Sequence, residues 1–120
     1  MKKLINDWRP ETSSLIARLQ KAGATIISVH NGEYSTKFSE VSIDKFILEA
    51  IACDTAHLFI TLPCHSSARL FLVYGNNPGE LVCDYSIPSR ENDSTLLDEI
   101  TSAHYDEWVR KPQPKMEVNL

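Results

Sequence analysis

Cys53, His57, Cys64 and His65 bring two thiols and two imidazoles into one short stretch of chain. These are the donors from which a tetrahedral zinc site is made. The spacing is wrong for it. Adjacent Cys64 and His65 project in different directions from the backbone, and the chain contains no CxxC pair. No metal or other cofactor is therefore expected. Cys53 reads instead as a small thiol that closes a helix onto the core.

The same neighbourhood holds the parts of a nucleophilic centre. Cys64 or Ser66 would attack, His65 or His30 would take the proton, and Asp84 would orient the imidazole. None of the frames that position such groups is present: there is no GxSxG elbow, no Walker loop and no HExxH. Asp84 falls between Cys83 and Tyr85, so on a strand it points away from both. Four histidines and 16 acidic residues in a chain of 120 make suggestive triplets by chance. The chain is not expected to be an enzyme.

A third stretch, Gly75-Asn76-Asn77-Pro78-Gly79-Glu80, has the glycines of a phosphate-cradling loop. Such a loop must run into a helix N-terminus. This one runs into Leu81-Val82-Cys83-Asp84-Tyr85, which reads as a strand. Pro78 and Gly79 fit the two central positions of a type II turn, where proline pre-sets φ and glycine supplies a positive φ. The loop is predicted to be a hairpin turn.

Around these residues the composition is that of an ordinary globular domain, 42% hydrophobic and 23% charged. Its length allows one core and needs no disulfide or metal staple. Three cysteines without paired spacing read as reduced, mostly buried thiols. The apolar stretch behind Lys2 and Lys3 ends at Ile5, too short for a signal peptide, and no run is long enough to span a membrane. A cytoplasmic protein without membrane contact is expected. The net charge of −4 is unevenly spread: residues 1–22 carry five basic and two acidic groups, residues 91–120 three basic and seven acidic. With no basic stripe, direct nucleic-acid binding is not expected. Acidic mimicry of nucleic acid is an alternative, resting on the pairs Asp98-Glu99 and Asp106-Glu107.

Periodicity gives the elements. Residues 10–22 read as a helix with Pro10 and Glu11 in its first turn, an apolar stripe of Leu15, Ile16, Leu19 and Ala22, and Gly23 at its end. Strands at 24–30 and 33–38 flank Asn31-Gly32, the signature of a two-residue hairpin turn, with Tyr34, Thr36 and Phe38 on one face. Ser42 caps a second helix along Ile43, Phe46, Ile47, Ala50 and Ile51. Three strand-length runs follow, at 57–62, 69–74 and 80–85, and a third helix spans 95–110, capped by Asp93 or Ser94. Residues 1–111 are expected to be a single α+β domain and 112–120 a mobile tail. The order helix, two strands, helix, three strands, helix resembles roadblock and profilin-like domains, small scaffolds for protein assembly; the resemblance is one of element order.

Two runs break the alternation of a half-exposed strand: Leu58-Phe59-Ile60 and Leu70-Phe71-Leu72-Val73-Tyr74. One sheet face takes the second and third helices. The other is covered by the first helix, by a second copy, or by a partner. The functional expectation is a protein-binding module, an adaptor, chaperone-like protein or inhibitor, acting as a homodimer or on a protein partner. The expected contact residues are Phe59, Phe71 and Val73 on the strands, Asn76 and Asn77 at the hairpin tip, and Tyr105 and Trp108 on the last helix. A small-molecule sensor or minor enzyme is the rival, its pocket lying between the third helix and the sheet and lined by His104 and Tyr85.

Overall fold

The computed structural model describes residues 2–75, 77–87, 94–112 and 114–119. Along the chain come β1 (Lys2–Asn6), α1 (Arg9–Lys21), β2 (Thr25–His30), β3 (Ser35–Lys37) and a 3-10 turn (Phe38–Glu40). Then follow α2 (Ile43–Ala50), β4 (Thr55–Thr61), β5 (Ser67–Val73), β6 (Val82–Ser86), α3 (Ser94–Trp108) and β7 (Lys115–Asn119). Among the described residues, β3-β2-β4-β5-β6 form one antiparallel sheet, while β1 and β7 form a separate antiparallel ribbon. This is the expected α+β architecture and element order, framed by two further strands.

Local chemistry sets the element ends. Ser42 Oγ accepts a hydrogen bond from the Lys45 amide at the start of α2, which satisfies one of the orphan donors there. At the end of α1, the Gly23 amide donates to the Gln20 carbonyl and the Ala24 amide to the Leu19 carbonyl. That pair of bonds is a Schellman cap, and it holds Gly23 at φ +94°. The predicted type II turn is present: the Glu80 amide donates to the Asn77 carbonyl, and Gly79 has φ +89°. The expected cap of α3, Asp93 or the Ser94 side chain, lies outside the described residues.

Four expectations are corrected. Asn31-Gly32 is not a two-residue turn, because His30 pairs with Ser35 and four residues lie between them. Buried Asn31 organises that longer loop: its Oδ1 accepts from the Glu33 and Tyr34 amides, and its Nδ2 donates to the Glu49 carbonyl. Strand β3 shortens accordingly, leaving Tyr34 exposed and Phe38 in the 3-10 turn, edge-on to Phe46. Next, the expected tail contains β7, which pairs with β1 from Lys2↔Asn119 to Asn6↔Lys115. The Asp7 amide extends this ladder to the Pro114 carbonyl, so backbone groups that a tail leaves to water are paired here. Third, the cysteines are not mostly buried: Cys53 is half-buried, and Cys64 and Cys83 are exposed. A register shift between Phe71 and Leu72 puts a bulge opposite them in β6, which turns Cys83 outward from half-buried Tyr85.

The fourth correction concerns layers. Leu15, Ile16 and Leu19 of α1, Phe46, Ile47 and Ala50 of α2, and Leu97 and Ile100 of α3 share one core with Ala56, Leu58, Ile60, Ala68, Leu70 and Leu72. All three helices therefore pack on the same sheet face. None of them covers the other.

One polar cluster lies within that helical layer. Glu11 and His104 are each 1% exposed, and Glu11 Oε2 is 2.9 Å from His104 Nε2. The Gly79 amide also points at the carboxylate, 3.3 Å from both oxygens. Glu11 lies in the first turn of α1, as the sequence indicates, and its burial makes it the joint between α1, α3 and the β5–β6 turn. His104 stacks on Trp108, whose Nε1 donates to Ser14 Oγ and so ties α3 to α1. Glu11→Ala leaves buried His104 Nε2 and the Gly79 amide without their partner and should cost about 1–3 kcal/mol, read from urea denaturation. Gly79→Ala meets a positive φ and puts Cβ 3.0 Å from the Tyr105 carbonyl oxygen and the Val109 nitrogen. Its expected cost is about 1–3 kcal/mol by the same measurement.

Candidate interaction face

The sheet face that no described helix covers is built by the alternation that builds the core. In β4, buried Ala56, Leu58 and Ile60 alternate with Thr55, His57, Phe59 and Thr61; in β5, buried Ala68, Leu70 and Leu72 alternate with Ser67, Arg69, Phe71 and Val73. Strand register then assembles two rows across the sheet. One is Ser35, His30, His57, Phe71 and Asp84. The other is Lys37, Ser28, Phe59, Arg69 and Ser86. Direct cross-strand partners share a face, so ten residues from five strands point the same way.

The middle of this surface is aromatic. His57 stacks on Phe71 with ring centroids 5.0 Å apart, and Phe59 is 37% exposed. Val73 lies beside them, opposite Thr55. Bulged Ile27 at the sheet end is 45% exposed. Burial lowers the His57 pKa below the ordinary imidazole value, and the charges of Arg69 and His30 lower it further. His57 Nδ1 is buried and has no hydrogen-bond partner among the described residues. His30 Nδ1, by contrast, lies 2.9 Å from Ser35 Oγ. A shallow cleft of about 230 Å³ runs along Phe59, Ser67, Ala68, Arg69 and Ser86.

The expected contact residues divide between surfaces. Phe59, Phe71 and Val73 come together on the open face. Asn76 lies outside the described residues, and Asn77 is exposed while its carbonyl closes the turn. Tyr105 is 42% exposed on α3, in the helical layer, and Trp108 is 7% exposed in its contact with α1. His104 and Tyr85 have separate surroundings among the described residues: His104 is enclosed with Glu11, and Tyr85 borders a cleft of about 30 Å³ beside Arg69. A larger groove, about 510 Å³, lies between the starts of α1 and α2 and is lined by Asp7, Arg9, Ser13, Asp44, Ile47 and Leu48.

The metal-type residues separate along β4, with Cys53 before its first residue and Cys64 and His65 beyond its last. Among the described residues no group of three or more His, Cys, Asp or Glu side chains could hold a metal ion. Sequence reasoning does not find His30, Lys37, Arg69 and Asp84 as companions of the two phenylalanines, because only strand register makes them neighbours.

No protein-family model, curated protein or solved structure matches the chain.

The lowered His57 pKa fixes a pH dependence. Within the window between its folded and unfolded values, the unfolded chain binds more protons at this site. Stability should therefore fall as pH drops through the ordinary imidazole range and below it. His57→Asn should remove that part of the slope, measured as urea midpoints between about pH 5 and about pH 7.5.

Proposed function

We propose that the chain is a protein-binding module whose partner docks on the open face of the five-stranded sheet. The observation that carries this reading is the grouping of Phe59, Phe71 and Val73, with His57, on a face that none of the three helices covers. Interface energy concentrates in a few aromatic and arginine side chains ringed by polar groups. Phe59, Phe71 and Arg69, bordered by Ser28, Ser67 and Ser86, have that composition. A docked chain also has a use for the His57 Nδ1, which lacks a partner among the described residues.

A cytoplasmic site of action belongs to the same proposal. It is supported by cysteines that form no disulfide among the described residues, as a reducing compartment requires. No described helix is long and apolar enough to cross a membrane.

The test is capture from source-cell extract with tagged wild type and with the paired substitution Phe59→Ser and Phe71→Ser. Loss of hot-spot residues should weaken partner binding at least about tenfold, with an unchanged melting temperature because both side chains lie outside the core. Equal retention of the same proteins by both would overturn the reading. So would a nucleotide or metabolite that raises the melting temperature while no protein is retained, and that result would favour the small-molecule alternative.

A further inference from the structure

Arg69 and Asp84 are opposite charges on the open face, diagonal neighbours across β5 and β6: Arg69 lies opposite Ser86, and Asp84 opposite Phe71. Neither has an ion-pair partner among the described residues. Asp84 Oδ1 instead accepts from the amide of its neighbour Tyr85. One cation and one anion, side by side and both unpaired among the described residues, form a pattern that its own copy can satisfy. In a two-fold interface residue i meets residue j of the copy while j meets i, so a single such pair supplies two ion pairs.

We infer that the partner seated on this face is a second copy of the chain, packed sheet to sheet about a two-fold axis that crosses the strands between the two rows. The inference rests on the open face being a protein-binding surface. With that axis, each row faces the other row of the copy. Phe71 then lies over the partner's Arg69, an arrangement favourable for a cation over an aromatic ring. His57 lies over the partner's Phe59. Asp84, next to Phe71, comes beside the partner's Arg69.

Area agrees with this occupant. Strands of 3, 6, 7, 7 and 5 residues, at about 3.3 Å per residue and spaced about 4.8 Å apart, make a plane of roughly 450 Å². That is below the roughly 800 Å² that each side of a standard interface contributes, the size of a weak contact that dissociates on dilution. Sheets packed face to face interdigitate their side chains across about 10 Å, within reach of an arginine.

The experiment is light scattering of the intact chain over a dilution series, with two charge reversals. Wild type should be a dimer that dissociates on dilution. Arg69→Glu alone and Asp84→Arg alone should each shift the midpoint of dissociation at least about tenfold toward the monomer, since each brings like charges together across the interface. Mixing the two variants should restore a dimer. In the mixed pair one of the two symmetry-related contacts keeps the native Arg69 and Asp84, and the other joins the introduced glutamate to the introduced arginine. The chain carrying both reversals should also dimerise. Wild type that stays monomeric at the highest attainable concentration overturns the inference, yet leaves a different protein on the same face, which the capture experiment decides separately. A dimer indifferent to both reversals also overturns it, as does failure of the mixed variants to associate. Circular dichroism of each variant shows that it is folded, and the wild-type dilution series tests the inference independently of any substitution.

Discussion

The buried side chain of Glu11 holds this fold together. Glu11 lies in the first turns of α1, and its oxygens face His104 of α3 and the amide of Gly79 in the β5–β6 turn. A buried carboxyl group is tolerated only where hydrogen-bonding partners reach it. Three segments far apart in sequence must therefore arrive together. The α1–α3 contact through Trp108 and Ser14, and the Tyr74 phenol near Thr12, surround the same point. Burial raises the pKa of that phenol well above its ordinary value, so it stays a neutral hydroxyl. Hydrophobic packing supplies most of the driving force for folding, while this cluster fixes how the helices and the hairpin are placed.

That placement decides what the sheet can do. With α1 joined to α3 on one side, neither is left for the other side. Phe59, Phe71 and Val73 consequently meet solvent or a partner, whereas Leu58, Leu70 and Leu72, their sequence neighbours, are sealed in the core. The continuous apolar runs in β4 and β5 are thus two different populations interleaved. One holds the domain together. The other lies outside that core.

The elements themselves were legible because their signals are local. A 3.6-residue period marked α1 and α2, and proline before glycine marked the turn at Pro78 and Gly79. What escaped was set by contacts between distant residues. Nothing near Glu11 announces a histidine 93 positions later, and Glu11 looks like any acidic residue at a helix start. Asn31-Gly32 has the letters of a tight turn, but the bond from Asn31 to the Glu49 carbonyl draws the loop wider. Of the open sheet face, the two phenylalanines and Val73 could be picked out by their broken alternation. Their companions Arg69, Asp84, His30 and Lys37 are products of register, which one strand's sequence does not contain.

The β1–β7 ribbon has a mechanical consequence. Lys2 and Asn119 are cross-strand partners at its outer end, and the ladder runs inward to Asn6 and Lys115. Force that draws Lys2 and Asn119 apart pulls across the strands, so it loads one rung at a time, as a zipper opens. The bond between Asp7 and Pro114 is the last to part. On that path the rungs of the ribbon open ahead of α1 and α3, which follow it towards the core.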